Sequence, residues 1–249
     1  MSESVERNGR HQFQLQNRGS TLKLAIFDVD GTLVNTKKVD AECFVHAFES
    51  EFSIPNIESN WTKYENPTDS GITQAIFQRV FNRPPDDFEI RRLKATFLRL
   101  LQDAHSSTPD LFAEIPGARS FFNFLLGHSE WQVAIATGGW HETAIFKLTS
   151  ADFYINSTPI STSDQAGDRE SIVRSCIESA RRYYHVDQFS KIVALGDSPW
   201  DVTTARALGL AFIGVGNKQQ LSKLGATYVV KDYKDPDRLM ELLELARVP

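Results

Sequence analysis

The chain has 249 residues, 41% of them hydrophobic and 24% charged, and a formal net charge of -5. This length suits one large domain or a domain carrying a smaller insert, and the acidic balance does not favour nucleic acid or an anionic membrane as a partner. No apolar stretch is long enough to span a bilayer, and the two cysteines, Cys43 and Cys176, match neither a disulfide framework nor metal-ligand spacing.

Residues 1–20 are rich in Gln, Asn, Arg and Ser and hold no apolar signal region, so a poorly ordered tail and a cytoplasmic location are expected. The run Leu22 to Phe27 is short and mostly apolar. It stops at Asp28-Val29-Asp30-Gly31, which reads as a buried strand opening into a loop. Apolar residues then recur at helical spacing: Val39, Cys43, Ala47 and Phe48; Ile72, Ile76 and Val80; Leu93, Phe97, Leu100 and Ala104. Pro55, Pro67 and Pro84-Pro85 separate these stretches, so three or more helices without a clear strand are expected.

From Pro116 onward helices and strands alternate. Ala118 to Leu125 suggests a helix, and Trp131 to Ala136 a strand ending at Thr137-Gly138-Gly139. Ala144, Ile145 and Leu148 mark the next helix, and Phe153 to Ile155 a short strand. Ile172, Cys176, Ala180 and Tyr183 mark an amphipathic helix before the strand Ile192 to Leu195, which ends at Gly196-Asp197. A helix through Val202 to Leu208, strands at 211–215 and 227–230 and a helix over Leu239 to Ala246 complete the chain. Such alternation implies an α/β fold with a parallel sheet covered on both faces, whose ligands bind beyond the C-terminal ends of the strands. The segments ending at Asp28, Thr137 and Asp197 would then converge on one rim.

Asp28 and Asp30 sit one residue apart just past a buried strand. Carboxylates so placed can hold a hard cation, attack phosphorus or carry a proton, or can simply cap a solvated turn. The full run Phe27-Asp28-Val29-Asp30-Gly31-Thr32-Leu33-Val34 resembles the first signature of the haloacid dehalogenase-like hydrolase superfamily. Thr137-Gly138 resembles the second motif, whose hydroxyl and backbone N–H groups hold a phosphate oxygen. Leu195-Gly196-Asp197-Ser198-Pro199-Trp200-Asp201 resembles the last one. The third motif is a single basic residue opening a helix; Arg169 is the candidate and Arg174 its rival. Lys is commoner there, and the usual Lys-Pro pair is absent.

The resemblance runs from Leu22 to the C-terminus and is to the helical-cap, phosphoglycolate phosphatase and β-phosphoglucomutase-like members. It implies a Rossmann-like core over residues 21–36 and 113–249 and a helical cap over 37–112. It implies Mg2+ held by Asp28, the backbone carbonyl of Asp30 and Asp197, with Asp201 binding it through water or orienting its neighbours, Asp28 as nucleophile and Asp30 as general acid and base. Thr137, Gly138 and Arg169 would bind the phosphoryl group. Pro67-Thr68-Asp69-Ser70-Gly71-Ile72 resembles a cap segment of the phosphoglycolate-phosphatase-like members, so Thr68 and Asp69 are candidate substrate residues, though both are equally good helix caps. Trp61, Lys63, Tyr64, Trp140, His141 and Trp200 either shape the pocket or serve packing.

A small phosphorylated metabolite is the partner this implies. Asp30 argues against a dehalogenase and a phosphonatase, which lack a carboxylate at that place. A sugar-phosphate mutase with the same motifs and a catalytically silent phosphate-binding regulator remain the alternatives.

Overall fold

The computed structural model describes residues 22–249; the expected tail over 1–20, and residue 21 at the start of the expected core, lie outside the described residues. Six strands, β1 (Lys23–Phe27), β2 (Trp131–Ala136), β3 (Ile160–Ser161), β4 (Lys191–Gly196), β5 (Ala211–Val215) and β6 (Tyr228–Val230), form one sheet in the order β3-β2-β1-β4-β5-β6. Every pairing is parallel. The first strand lies between β2 and β4, with Phe27 level with Ile135 on one side and Leu195 on the other.

That central position explains the unbroken apolar run. Ala25 and Phe27 pack into a core on one face, and Leu24 and Ile26 into a core on the other. A strand buried on both faces carries no polar alternation. The first face is covered by α4 (Ala118–Leu126), α5 (His141–Ser150) and α9 (Pro236–Leu245), through Phe121, Phe122, Leu148, Leu239 and Leu243. The second is covered by α6 (Arg169–Tyr183), α7 (Pro199–Leu208) and the short α8 (Lys218–Lys223), through Ile172, Cys176, Val202, Ala205 and Leu221.

Between β1 and α4 lie α1 (Lys37–Phe52), α2 (Asp69–Phe81) and α3 (Asp87–Ser107), with 3-10 turns at Trp61–Lys63 and Pro109–Phe112. They share a separate aromatic cluster of Phe44, Phe48, Phe77, Phe97 and Phe112, into which Trp140 also packs. The α3 start is fixed by reciprocal hydrogen bonds between Asp86 and Glu89. The two chain crossings between this segment and the sheet run side by side. Asn35 N–H donates to Ala113 at 2.9 Å, and Ile115 N–H to Leu33 at 2.8 Å.

Three local expectations fail; one is Tyr183, expected on the inward stripe of α6 but exposed at its last turn. Phe153 and Ile155 are buried, but in a loop. Asp152 takes a left-handed conformation (φ 59°), and Phe153 N–H turns back to Leu148 O, closing α5 instead of joining the sheet. The strand beside β2 is instead Ile160–Ser161. Val80, expected on the inward stripe of α2, is exposed; Thr73 and Phe77 complete that stripe with Ile72 and Ile76.

Candidate active site

The residues immediately after β2, β1 and β4 are Thr137, Asp28 and Asp197, so three neighbouring strand ends deliver them to one rim. Asp28 N–H donates to Leu195 O at 3.0 Å, prolonging the ladder by one residue and fixing where the buried carboxylate stands. Arg169, the first residue of α6, extends its guanidinium over the rim. Its Nη1 lies 3.2 Å from Asp28 Oδ1 and 3.5 Å from Asp201 Oδ1, and its Nε donates to Pro67 O at 3.2 Å. Trp200 stacks on it, 5.3 Å from ring centroid to guanidinium carbon. Arg174 is exposed. A Cβ on Gly138 would stand 2.6 Å from Arg169 Nη2, so the guanidinium keeps this position only if the residue there is small.

Asp28, Asp197 and Asp201 offer carboxylate oxygens that all lie within 4.8 Å of one another. An all-oxygen anionic set suits a hard divalent cation. Burial pushes the Asp28 carboxyl well above its ordinary range, and the charge of Asp201 adds to the push; Arg169 draws it back. Burial raises Asp201 to about 6, against the pull of Arg169. A bound cation would relieve this crowding of negative charge, so the residues present fit such an ion. Lys37 Nζ lies 2.8 Å from Asp197 Oδ2 and 2.9 Å from Ser198 Oγ. Asp201 sits in the first turn of α7, where its Oδ2 accepts from Ser198 N–H at 3.0 Å. Gly31 adopts φ +83°, and a Cβ there would meet Asp197 Oδ2 at 2.2 Å.

Asp30 faces another way. Its Oδ1 accepts from the Thr36 hydroxyl at 2.5 Å and its Oδ2 from Lys147 Nζ at 2.6 Å. Its carboxylate is therefore outside the metal-type group, which leaves its carbonyl as the candidate ligand. Lys147 also lies 2.6 Å from Asp40 Oδ1. Burial alone would lower the pKa of this fully buried lysine, but the charges of Asp30, Asp40 and Asp69 outweigh it and raise the value. Asp40 in turn is pushed up to about 6, by burial against the pull of Lys147.

Thr137 Oγ1 accepts from Gly139 N–H at 3.1 Å. Thr68 serves as the N-cap of α2, accepting from Gly71 N–H at 3.0 Å, and donates to Gly167 O at 2.6 Å. Asp69 N–H donates to Gly138 O at 2.8 Å, and Asp69 Oδ2 accepts from Trp140 N–H at 2.9 Å. These bonds dock α2 on the strand-end loops. Asp28, Asp30, Thr137, Gly138, Arg169, Thr68 and Asp69 thereby line one cavity, floored by Phe44 and Trp61. It encloses ≈ 60 Å³ of water-accessible space, room for roughly four or five waters, which is about the bulk of a phosphoryl group. Lys63 pairs with Glu58, and Tyr64 lines a neighbouring cleft. His141 is exposed, while Trp140 packs with Phe44 and Phe97.

Lys147 and Asp40 are the residues that sequence reasoning missed. Lys147 shares the buried face of α5 with Ala144 and Leu148. A lysine on the apolar face of a short helix was the available signal.

The family model for haloacid dehalogenase-like hydrolases matches residues 25–215. The chain belongs to that family. A hydrolase from Pseudomonas syringae has a similar structure at 21% identity, with 89% of this chain and 97% of that one covered and a TM-score of 0.65. A CbbY variant from Rhodobacter sphaeroides in complex with xylulose-(1,5)bisphosphate aligns at 18% identity over 86% and 96% of the two chains, TM-score 0.62. A predicted phosphoglycolate phosphatase from Haemophilus somnus aligns at 15% identity over 89% and 99%, TM-score 0.59. These likenesses establish the haloacid dehalogenase-like α/β fold. No curated protein matches the chain. Among the described residues, no helix is long and apolar enough to cross a membrane.

Proposed function

We propose that this haloacid dehalogenase-like protein is a magnesium-dependent phosphatase that hydrolyses a small phosphate monoester through a phosphoaspartyl intermediate. The observation that carries this reading is the setting of Asp28. A buried carboxylate at a strand end meets the Arg169 guanidinium at 3.2 Å and groups with the carboxylates of Asp197 and Asp201. The adjoining cavity is the size of a phosphoryl group.

Asp28 attacks phosphorus, forming an O–P bond as the bond to the leaving oxygen breaks. Arg169, the Thr137 hydroxyl and the Gly138 N–H surround the transferring group and offset its charge. Asp30 gives its proton to the departing alkoxide. The same carboxylate then takes a proton from water, whose oxygen attacks phosphorus and frees Asp28. Magnesium would be held by Asp28, Asp197, Asp201 and the Asp30 carbonyl, and supplies positive charge against the phosphoryl oxygens. Residues 37–112 act as a cap over the core of 21–36 and 113–249, and Thr68 and Asp69 face the leaving group. A small phosphorylated metabolite is the proposed substrate, with its phosphoryl group in the cavity; the Rhodobacter relative is in complex with a sugar bisphosphate.

The test is phosphate release from a panel of phosphorylated sugars, short acids, nucleotides and p-nitrophenyl phosphate, with and without magnesium, beside Asp28→Asn. Release that requires magnesium and disappears in Asp28→Asn supports the reading. Transfer of the phosphoryl group between two positions of a sugar, without release to water, replaces it with a mutase. Folded, metal-binding protein that does neither is a phosphate-binding regulator.

A further inference from the structure

Lys147 has no counterpart among the motif residues, yet it is the one lysine or arginine among the described residues whose side chain is wholly buried. Its ammonium reaches Asp30 from α5 and Asp40 from α1, each at 2.6 Å. Asp30, Asp40 and Asp69 border the cavity, while Lys147 is not among its walls. The ammonium therefore stands behind these carboxylates and touches those of Asp30 and Asp40 rather than the cavity contents.

The Asp30 carboxylate is held at both oxygens, by the fully buried Thr36 hydroxyl and by Lys147. Thr36 precedes α1 by one residue and Asp40 lies in its first turn. Lys147 thus joins three elements: the loop after β1, the start of α1 and the buried face of α5. A carboxylate gripped at two points keeps one orientation, and displacement of a proton donor by about 1 Å costs on the order of 10²-fold in rate. Burying an ammonium is unfavourable unless carboxylates offset it, and here one of the two that touch it is the proposed proton carrier.

We propose that Lys147 is a positioning residue, holding the Asp30 carboxylate where it can pass its proton to the leaving oxygen of a phosphate ester. This rests on the phosphatase reading above. The role carries a signature that a merely structural ion pair lacks. An alkyl phosphate expels a strongly basic alkoxide, and its P–O bond breaks only as Asp30 delivers the proton. The p-nitrophenolate of p-nitrophenyl phosphate leaves without one. Loss of the grip on Asp30 therefore slows alkyl esters and spares the aryl ester.

The experiment measures kcat and KM of the full-length protein with magnesium on p-nitrophenyl phosphate and on the alkyl monoester that the unmodified chain hydrolyses best. Two variants are used, Lys147→Met and the charge-balanced Lys147→Met with Asp40→Asn, each checked for folding by circular dichroism and thermal melting. The expected result is a fall in alkyl-ester kcat of about 10²-fold or more, with KM nearly unchanged and aryl-ester kcat down by less than about tenfold. Equal losses on both esters, unchanged alkyl turnover in a folded variant, or failure of both variants to fold would each overturn the inference and leave Lys147 a structural ion pair. If the unmodified chain hydrolyses neither ester, the phosphatase reading itself fails and takes this inference with it.

Discussion

The Arg169 guanidinium and the Asp28 carboxylate lie 141 positions apart in the chain and 3.2 Å apart in space. Nothing local links them. Asp28 is placed by the end of a central strand, whereas Arg169 is placed by the start of a helix whose N-cap, Asp168, accepts from Ser171 N–H at 2.8 Å. The bond to Pro67 O and the Trp200 ring then set the guanidinium's direction.

Replacing Arg169 by Met is expected to lower kcat/KM for phosphate release by about 10²–10³-fold, and Arg169→Lys to recover part of it. Gly138→Ala is expected to act through the same guanidinium, since the added Cβ would meet it at 2.6 Å. Steady-state kinetics on the best substrate checks both. Full activity in Gly138→Ala would show that Arg169 need not stand where it does.

Gly31→Ala tests the other side of the site. The residue holds φ +83°, and its Cβ would collide with Asp197 Oδ2. A cost of about 1–3 kcal/mol for the backbone alone is expected, with weaker divalent-cation binding because Asp197 must shift. Urea unfolding and calorimetric titration with Mg2+ report the two effects separately. Undiminished cation affinity would remove Asp197 from the ligand set.

Asp69 gives a pH dependence. Burial raises its carboxyl from 3.8 to about 8, with the charge of Asp40 adding and Lys147 and the Trp140 N–H opposing. The folded chain thus holds this proton more tightly than the unfolded chain. Its contribution to stability is complete below about pH 4 and is lost as pH rises through about 8. Thermal midpoints should therefore decline from about pH 5 to about pH 8, and Asp69→Asn should flatten the part between about pH 6 and pH 8. Asp40, raised to about 6, still contributes below that. Scanning calorimetry at constant ionic strength measures both curves, and identical slopes would contradict the assignment.

The aromatic cluster reaches the cavity through Phe44. Phe97 is fully buried, with its ring centroid 5.4 Å from that of Phe44 and 6.2 Å from that of Trp140. Phe97→Ala is expected to cost about 3–5 kcal/mol in denaturant unfolding. It is also expected to raise KM, because Phe44 floors the cavity and the Trp140 N–H holds Asp69. A loss under about 1 kcal/mol would mean that the cluster collapses around the gap.

Much of the framework was legible in the chain because its signals are local. Apolar runs cut off by Asp, Thr and Gly marked β1, β2 and β4, and a parallel sheet brings such ends to one rim without further instruction. The same locality misled at Phe153 to Ile155, where two buried apolar residues imitate a strand that a left-handed Asp152 prevents. Thr68 was ambiguous between cap and cavity wall, and it is both.

The sequence alone determined the strand ends and the local spacing of Asp28 to Asp30 and of Asp197 to Asp201, since these depend on residues a few positions apart. Only the tertiary structure decided that Arg169 and not Arg174 faces Asp28, that Asp30 turns from the carboxylate group toward Thr36, and that Lys147 is buried between Asp30 and Asp40. Each of these depends on which face of a helix packs inward and on what waits there. A buried ammonium is tolerated only where distant parts of the chain bring carboxylates to meet it, and that meeting arises from packing rather than from any short stretch of sequence.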